Sequence, residues 1–177
     1  MHENEASGLV PRALTAIGSA LVMLTILMGS SAWARADPQP TAEMMRPVSA
    51  LVAYMSALPT NVHPDMFASP HPCIVENFSP YVFCGPRAAR RWEMGFRLHS
   101  SQEALSRLSA RFGAAHDFDR AGNRVYFSLP TVWTGFTAGR AFVEHGAWAF
   151  VEVEQKGAWR IQGYGWGVYA YQEGPIH

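Results

Sequence analysis

Apolar and polar residues alternate along Arg124 to Trp166 and end in the aromatic run Gly157-Ala-Trp-Arg-Ile-Gln-Gly-Tyr-Gly-Trp166. That two-residue period predicts continuous antiparallel sheet. Earlier segments follow a helical period around one short hairpin. Met45, Val48, Leu51, Val52 and Met55 recur at helical spacing behind Thr41, predicting a capped helix from Thr41 to about Leu58, closed by Pro59. A second, short helix is expected around Asn61–Phe67, with Pro64 in its first turn. Pro70 and Pro72 enforce an extended approach to a hairpin between Cys73 and Cys84. Gly85-Pro86 opens a third helix. Its inner stripe is Ala88 or Ala89, Trp92, Phe96 and His99, while Arg87, Arg90, Arg91 and Arg97 face mainly outward. Ser100-Ser-Gln-Glu103 reads as a capping box. A separate helix carrying Leu105, Leu108 and Phe112, ended by Gly113, is therefore expected.

The expected strands are Ala114–Asp119, Arg124–Phe136, Arg140–Gln155 and Trp159–Val168, with turns at Arg120–Asn123 and Thr137–Gly139. Val125, Phe127, Leu129 and Trp133 share one face, and Pro130 implies an edge position or a bulge. Bulges bend a sheet enough to wrap helices. The fold class is α+β: a curved antiparallel or mixed sheet around three to four N-terminal helices, forming a cup lined with apolar side chains.

The amino terminus reads differently. Ala13–Gly29 is uncharged and mostly apolar, and Ala34 and Ala36 form an Ala-x-Ala pattern before Asp37-Pro38. Residues 1–36 are thus expected to be a secretory signal cleaved after Ala36, giving a periplasmic or secreted domain at 37–177. Membrane contact is then confined to the signal segment before cleavage. The chain carries 14 Lys plus Arg and 14 Asp plus Glu. Equal numbers leave with the signal, so no basic stripe remains and nucleic-acid binding is not expected. Cys73 and Cys84 are the only cysteines and lie at mirror positions about Asn77-Phe-Ser-Pro80. In a hairpin that places them opposite one another, where an oxidising compartment favours a disulfide. Two buried thiols are the alternative. A metal site is weaker, because His71 is the only neighbouring partner.

Gly-Pro-x-Ala-Ala before the third helix and Gly-x-Trp-Arg-Ile before the last strand, taken with the element order, resemble the nuclear transport factor 2-like superfamily. The resemblance spans about Thr41 to Tyr169. That superfamily includes ketosteroid isomerase, scytalone dehydratase and SnoaL-like polyketide cyclases. It implies a cone whose open end receives a mostly apolar ligand, often in a homodimer formed through the sheet. Many members are not enzymes, so the fold alone decides no activity.

Individual residues carry over only in part. Tyr54-Met-Ser-Ala-Leu58 resembles the first-helix setting of the isomerase tyrosine that builds an oxyanion hole. Where that family has its basic Asp in a Val-Glu-Asp triplet, this chain reads Val75-Glu76-Asn77. An amide accepts no proton at neutral pH, so that base is missing. Glu152 is the nearest counterpart of the second oxyanion acid. A dehydratase or cyclase would need His and Asp to reach into the cone together. His116 and Asp117 are adjacent in a strand and face opposite sides. His116 could instead pair across the sheet with His145 or approach His99.

Asp117-Phe-Asp119-Arg-Ala-Gly122 lacks a calcium ligand set, having Ala121 at position five and Ser128 at position twelve. The sequon Asn77-Phe-Ser79 is followed by Pro80 in a tight turn, which disfavours glycosylation. Walker, zincin, nucleophile-elbow and dinucleotide motifs do not occur, and neither a cofactor nor a metal is expected. The leading expectation is an exported domain binding a small hydrophobic or amphipathic molecule. Its ligand residues would be Tyr54, Met55, Asn77 and Trp92 with Phe96, Trp133, Trp148 and Trp166. The alternative is a cofactor-independent isomerase, lyase or cyclase using Tyr54, His116, Glu152 or His99. A structural dimerising module is the third reading, favoured if side chains fill the interior.

Overall fold

The computed structural model describes residues 38–58 and 65–174. The expected signal segment and most of the expected second helix lie outside them. Helix α1 spans Met45–Ala57 and buries Pro47, Val48, Leu51, Tyr54 and Met55. Thr41 Oγ1 accepts a hydrogen bond from the Met44 N–H just before it (3.4 Å). Leu58 closes the helix in the left-handed region. Strands β1 (Cys73–Val75) and β2 (Val82–Cys84) form the hairpin. Cys73 and Cys84 are register partners and are disulfide-bonded, with Cα atoms 4.1 Å apart. Helix α2 follows at Ala88–Gln102, burying Ala88, Trp92, Glu93 and Phe96.

The remaining strands are β3 (Ser106–Phe112), β4 (His116–Ala121), β5 (Arg124–Thr137), β6 (Arg140–Gln155) and β7 (Ala158–Glu173). Among the described residues they form one sheet in the order β2-β1-β7-β6-β5-β3, with β4 also on β5. β1 pairs with β7 in parallel, and the other pairings are antiparallel. Inner and outer residues alternate along β5, so Val125, Phe127, Leu129, Thr131 and Trp133 are buried. Register shifts at His145/Gly146 and Val151/Glu152 let β7 coil across β6 and curve the sheet. The result is the α+β cone that the residue pattern predicts, with a mixed sheet and α1 packed against β3 and β7.

Two helix expectations change. Ser100–Glu103 closes α2 instead of opening a new helix, because Ala104 takes a left-handed φ of 47°. Leu108, Ala110 and Phe112 then alternate in β3, which covers the edge of β5. Pairing with a long strand outweighs a local capping signal here. At the other site, Phe67 is not helical and bridges Ile161 in parallel. The described residues therefore contain two helices, not three or four. Pro130 lies at no bulge but at a short stretch of β5 unpaired on one side, a local edge. It faces the gap where β3 ends opposite Thr131 and β4 begins opposite Ser128. No ladder donor is needed from proline at that point.

Candidate functional site

Residues from six elements converge on a cavity of about 170 Å³. Phe96 comes from α2, Trp133 from β5, Phe142 and Trp148 from β6, and Trp166 and Tyr171 from β7. Their positions follow from the alternation of the inner face, and Met55 and Leu108 add aliphatic wall. Gly146 is necessary to this wall. A Cβ there would collide with the Trp166 indole that lies across β6. Trp148 stands at the centre, with ring centroids 5.5 Å from both Tyr164 and Trp166.

Polar groups complete the lining. Glu76 and Asn77 follow β1, His99 and Glu103 sit at the end of α2, and Glu144 projects from β6. Glu76 Oε1 accepts from the Trp92 Nε1–H at 3.1 Å and from the Tyr164 hydroxyl through a short bond. Burial pushes its carboxyl up to about 7, against the Tyr164, Trp92 and Asn77 donors that favour the charged form. The nearby Glu144 carboxylate raises it further. Glu144 Oε1 accepts from the Trp166 Nε1–H at 3.2 Å. Burial also raises Glu144, opposed by that same bond. His99 stacks on Phe78 at 5.1 Å, and burial lowers its pKa while the Glu103 charge opposes the change. The Trp148 Nε1–H is buried with no acceptor.

The structure gathers some of the residues singled out in the sequence and separates others. Met55, Asn77, Phe96, His99, Trp133, Trp148 and Trp166 all line the cavity. Trp92 lies behind the wall and acts through Glu76. Tyr54 lines a different and larger groove of about 660 Å³, beside Arg46, Trp159 and Arg160. Burial, reinforced by the charge of Glu93 and by the Tyr54 hydroxyl's interaction with that carboxylate, pushes its pKa up to about 12. Glu152 is fully buried on the inner face, registered between Val125 and Ile161, and is not part of the cavity lining. Neither of its oxygens has a partner, and burial pushes its pKa up to about 8.

His116 is exposed on β4 opposite Ser128, whereas His145 pairs with Val132, four residues further along β5. His145 lies beside Tyr169, so the expected histidine pairing does not form. His116 does not join His99 at the cavity either. Tyr54, His116, Glu152 and His99 are thus not assembled in one place.

Glu76 and Glu144 are site residues that the sequence pattern does not single out, and Tyr164, one of the expected core aromatics, holds Glu76 from behind the wall. Alternation in the hairpin does place Ile74, Glu76 and Phe78 on one buried face. That period marks Glu76 as an inward position, whereas the Val75-Glu76-Asn77 triplet bears only on Asn77. Among the described residues no group of three or more His, Cys, Asp or Glu side chains is placed to hold a metal. No described helix is long and apolar enough to cross a membrane.

No protein-family model matches the sequence, and no curated protein does. Solved structures do match. A nuclear transport factor 2-like superfamily protein from Salmonella enterica shares 13% identity over 72% of this chain and 89% of its own, with a TM-score of 0.59. A type-3 hexachlorocyclohexane dehydrochlorinase from Novosphingobium barchaimii shares 7% over 75% and 88%, at 0.61. A scytalone dehydratase-like protein from Novosphingobium aromaticivorans shares 9% over 76% and 87%, at 0.58. The curved sheet, its order and these likenesses together establish a nuclear transport factor 2-like fold.

Proposed function

We propose that this chain is an exported domain that binds a small hydrophobic or amphipathic molecule inside its cone. The carrying observation is the aromatic cavity of about 170 Å³ walled by Phe96, Trp133, Trp148 and Trp166. An apolar pocket with a few convergent polar groups is the usual form of a ligand site. A purely structural module would fill this space with its own side chains. Native mass spectrometry of the full-length protein, purified without denaturant, tests the reading. A small molecule released on denaturation supports it. Adduct-free protein that also binds no small aromatic probe contradicts it.

One observation favours a second reading, acid–base catalysis. Glu76 lines the cavity with a pKa near 7, suited to proton transfer at neutral pH. Two proteins of similar fold are named for a dehydrochlorination and a dehydration. Against it, the neighbouring amide of Asn77 is no base, and His116, His99 and Glu152 are not gathered beside Glu76 as a second acid–base group. Turnover of a halogenated or hydroxylated cyclic substrate, abolished in Glu76→Gln, would establish it.

Export rests on the Ala34-x-Ala36 pattern and on the Cys73–Cys84 disulfide. Sequencing the amino terminus of the mature protein should read from Asp37. A homodimer through the convex face is supported by Tyr126 and Val151, exposed register partners on β5 and β6. Light scattering that returns a monomer mass would exclude it.

A further inference from the structure

Among the described residues, every ionisable side chain in the cavity wall is an acid, a histidine or a tyrosine, and no lysine or arginine reaches it. Glu76 and Glu144 are each anchored by a ring that packs against Trp148. Tyr164 donates to Glu76, Trp166 donates to Glu144, and Trp148 stands 5.5 Å from each donor ring. The two carboxylates sense each other's charge. Neither has an ion-pair partner among the described residues. Buried acids are ordinarily matched by a cation or hydrogen-bonded through both oxygens. Here the donors to the two acids are neutral groups, the Trp92 and Trp166 indoles, the Tyr164 phenol and the Asn77 backbone. The Trp148 Nε1–H, in the same wall, is a second buried polar group left open.

We propose that the ligand of this cavity is a small organic ammonium ion, held between the Glu76 and Glu144 carboxylates and the faces of Trp148 and Trp166. The inference rests on the cavity-binding reading above and names the class of molecule that fits it. Aromatic faces attract cations through the ring quadrupole, and the attraction strengthens when water is excluded. A protonated amine would supply the missing countercharge, and its N–H groups would donate to carboxylate oxygens. An anionic ligand would meet Glu76, Glu103 and Glu144, with His99 the one basic side chain in the wall among the described residues. Size sets a second limit. An engineered cavity of roughly 150 Å³ accepts benzene, so the space here of about 170 Å³ suits a ligand of single-ring size. An oxygen on that ligand would satisfy the Trp148 donor.

Calorimetric titration of the full-length protein at neutral pH with three probes of similar size separates the outcomes. The probes are phenethylamine, 2-phenylethanol and 3-phenylpropionate. The amine is expected to bind at least about tenfold more tightly than the alcohol, and the carboxylate most weakly of the three. Glu144→Gln should cost the amine more affinity than the alcohol and so shrink the preference. Equal or tighter binding of the alcohol or the carboxylate overturns the charge assignment while leaving a binding cavity in place. Failure of all three to bind overturns the cavity reading as well. An unchanged amine preference in a folded Glu144→Gln protein overturns the role given to Glu144. The ranking on the unaltered chain carries the test even if that variant does not fold.

Discussion

Glu76 and Glu152 are both buried in the cone, 5% and 0% exposed, yet their surroundings are opposite. Glu76 faces a cavity and holds two side-chain donors, from Trp92 and Tyr164, besides the Asn77 backbone. Glu152 sits among the β5 and β7 side chains with neither oxygen engaged. Burial raises both pKa values, but only at Glu76 do hydrogen bonds pull the other way. Burial alone therefore does not identify a site. A carboxylate whose donors keep it close to ionisation beside a void can take part in recognition. One left alone in a packed interior is a neutral acid that the fold carries at a cost.

The largest test of that contrast lies at its boundary. Trp148→Ala should remove about 3–5 kcal/mol of stability, read by denaturant unfolding, and abolish binding of any aromatic probe. A smaller loss would mean that the ring does not bridge the two acids' partners. Next comes the direct exchange of each acid for leucine. Glu76→Leu strands the Trp92 and Tyr164 donors and should cost about 2–4 kcal/mol. Glu152→Leu strands nothing and should stabilise by about 1 kcal/mol. If both variants lose stability equally, the distinction fails.

The pH dependence sharpens the same comparison. Unfolded Glu152 loses its proton near 4.5, whereas the folded protein keeps it to about 8. The native state therefore binds more protons across that window, so stability falls as pH rises through it and levels off above about 8. Glu152→Gln should flatten this slope in denaturant midpoints measured across the window. Glu76 contributes in the same direction up to about 7, so some slope should persist. The smallest effect is expected from Tyr164→Phe, which removes one donor to Glu76 at a cost of about 1 kcal/mol.

Much of the sheet was legible because its two-residue period is long and strong. The limits Arg140–Gln155 of β6 follow directly from alternation between two turn signals. The failure at Ser100–Glu103 has a physical cause. A capping box is worth little beside the hydrogen bonds that β3 makes to β5, and a single residue, Ala104, takes the left-handed conformation that ends α2. The aromatic wall was legible for the same reason as the sheet. Glu76 was legible only as an inward position and the partners of both acids were not, because hydrogen bonds spanning 88 and 22 residues join Glu76 to Tyr164 and Glu144 to Trp166. Those contacts depend on how β7 coils over β6, and no local pattern encodes them. Tyr54 was chosen by its setting on α1, but the rotation of that helix turns it toward the other groove.

A crystal of the full-length protein soaked with 2-phenylethanol tests the central claim, that the cone encloses a ligand cavity, most directly. Density for the ring against Trp148 and Trp166, with Phe96 and Met55 around it, is the result expected. An interior closed by the protein's own side chains, or a ligand seated only in the groove beside Tyr54, would contradict the account.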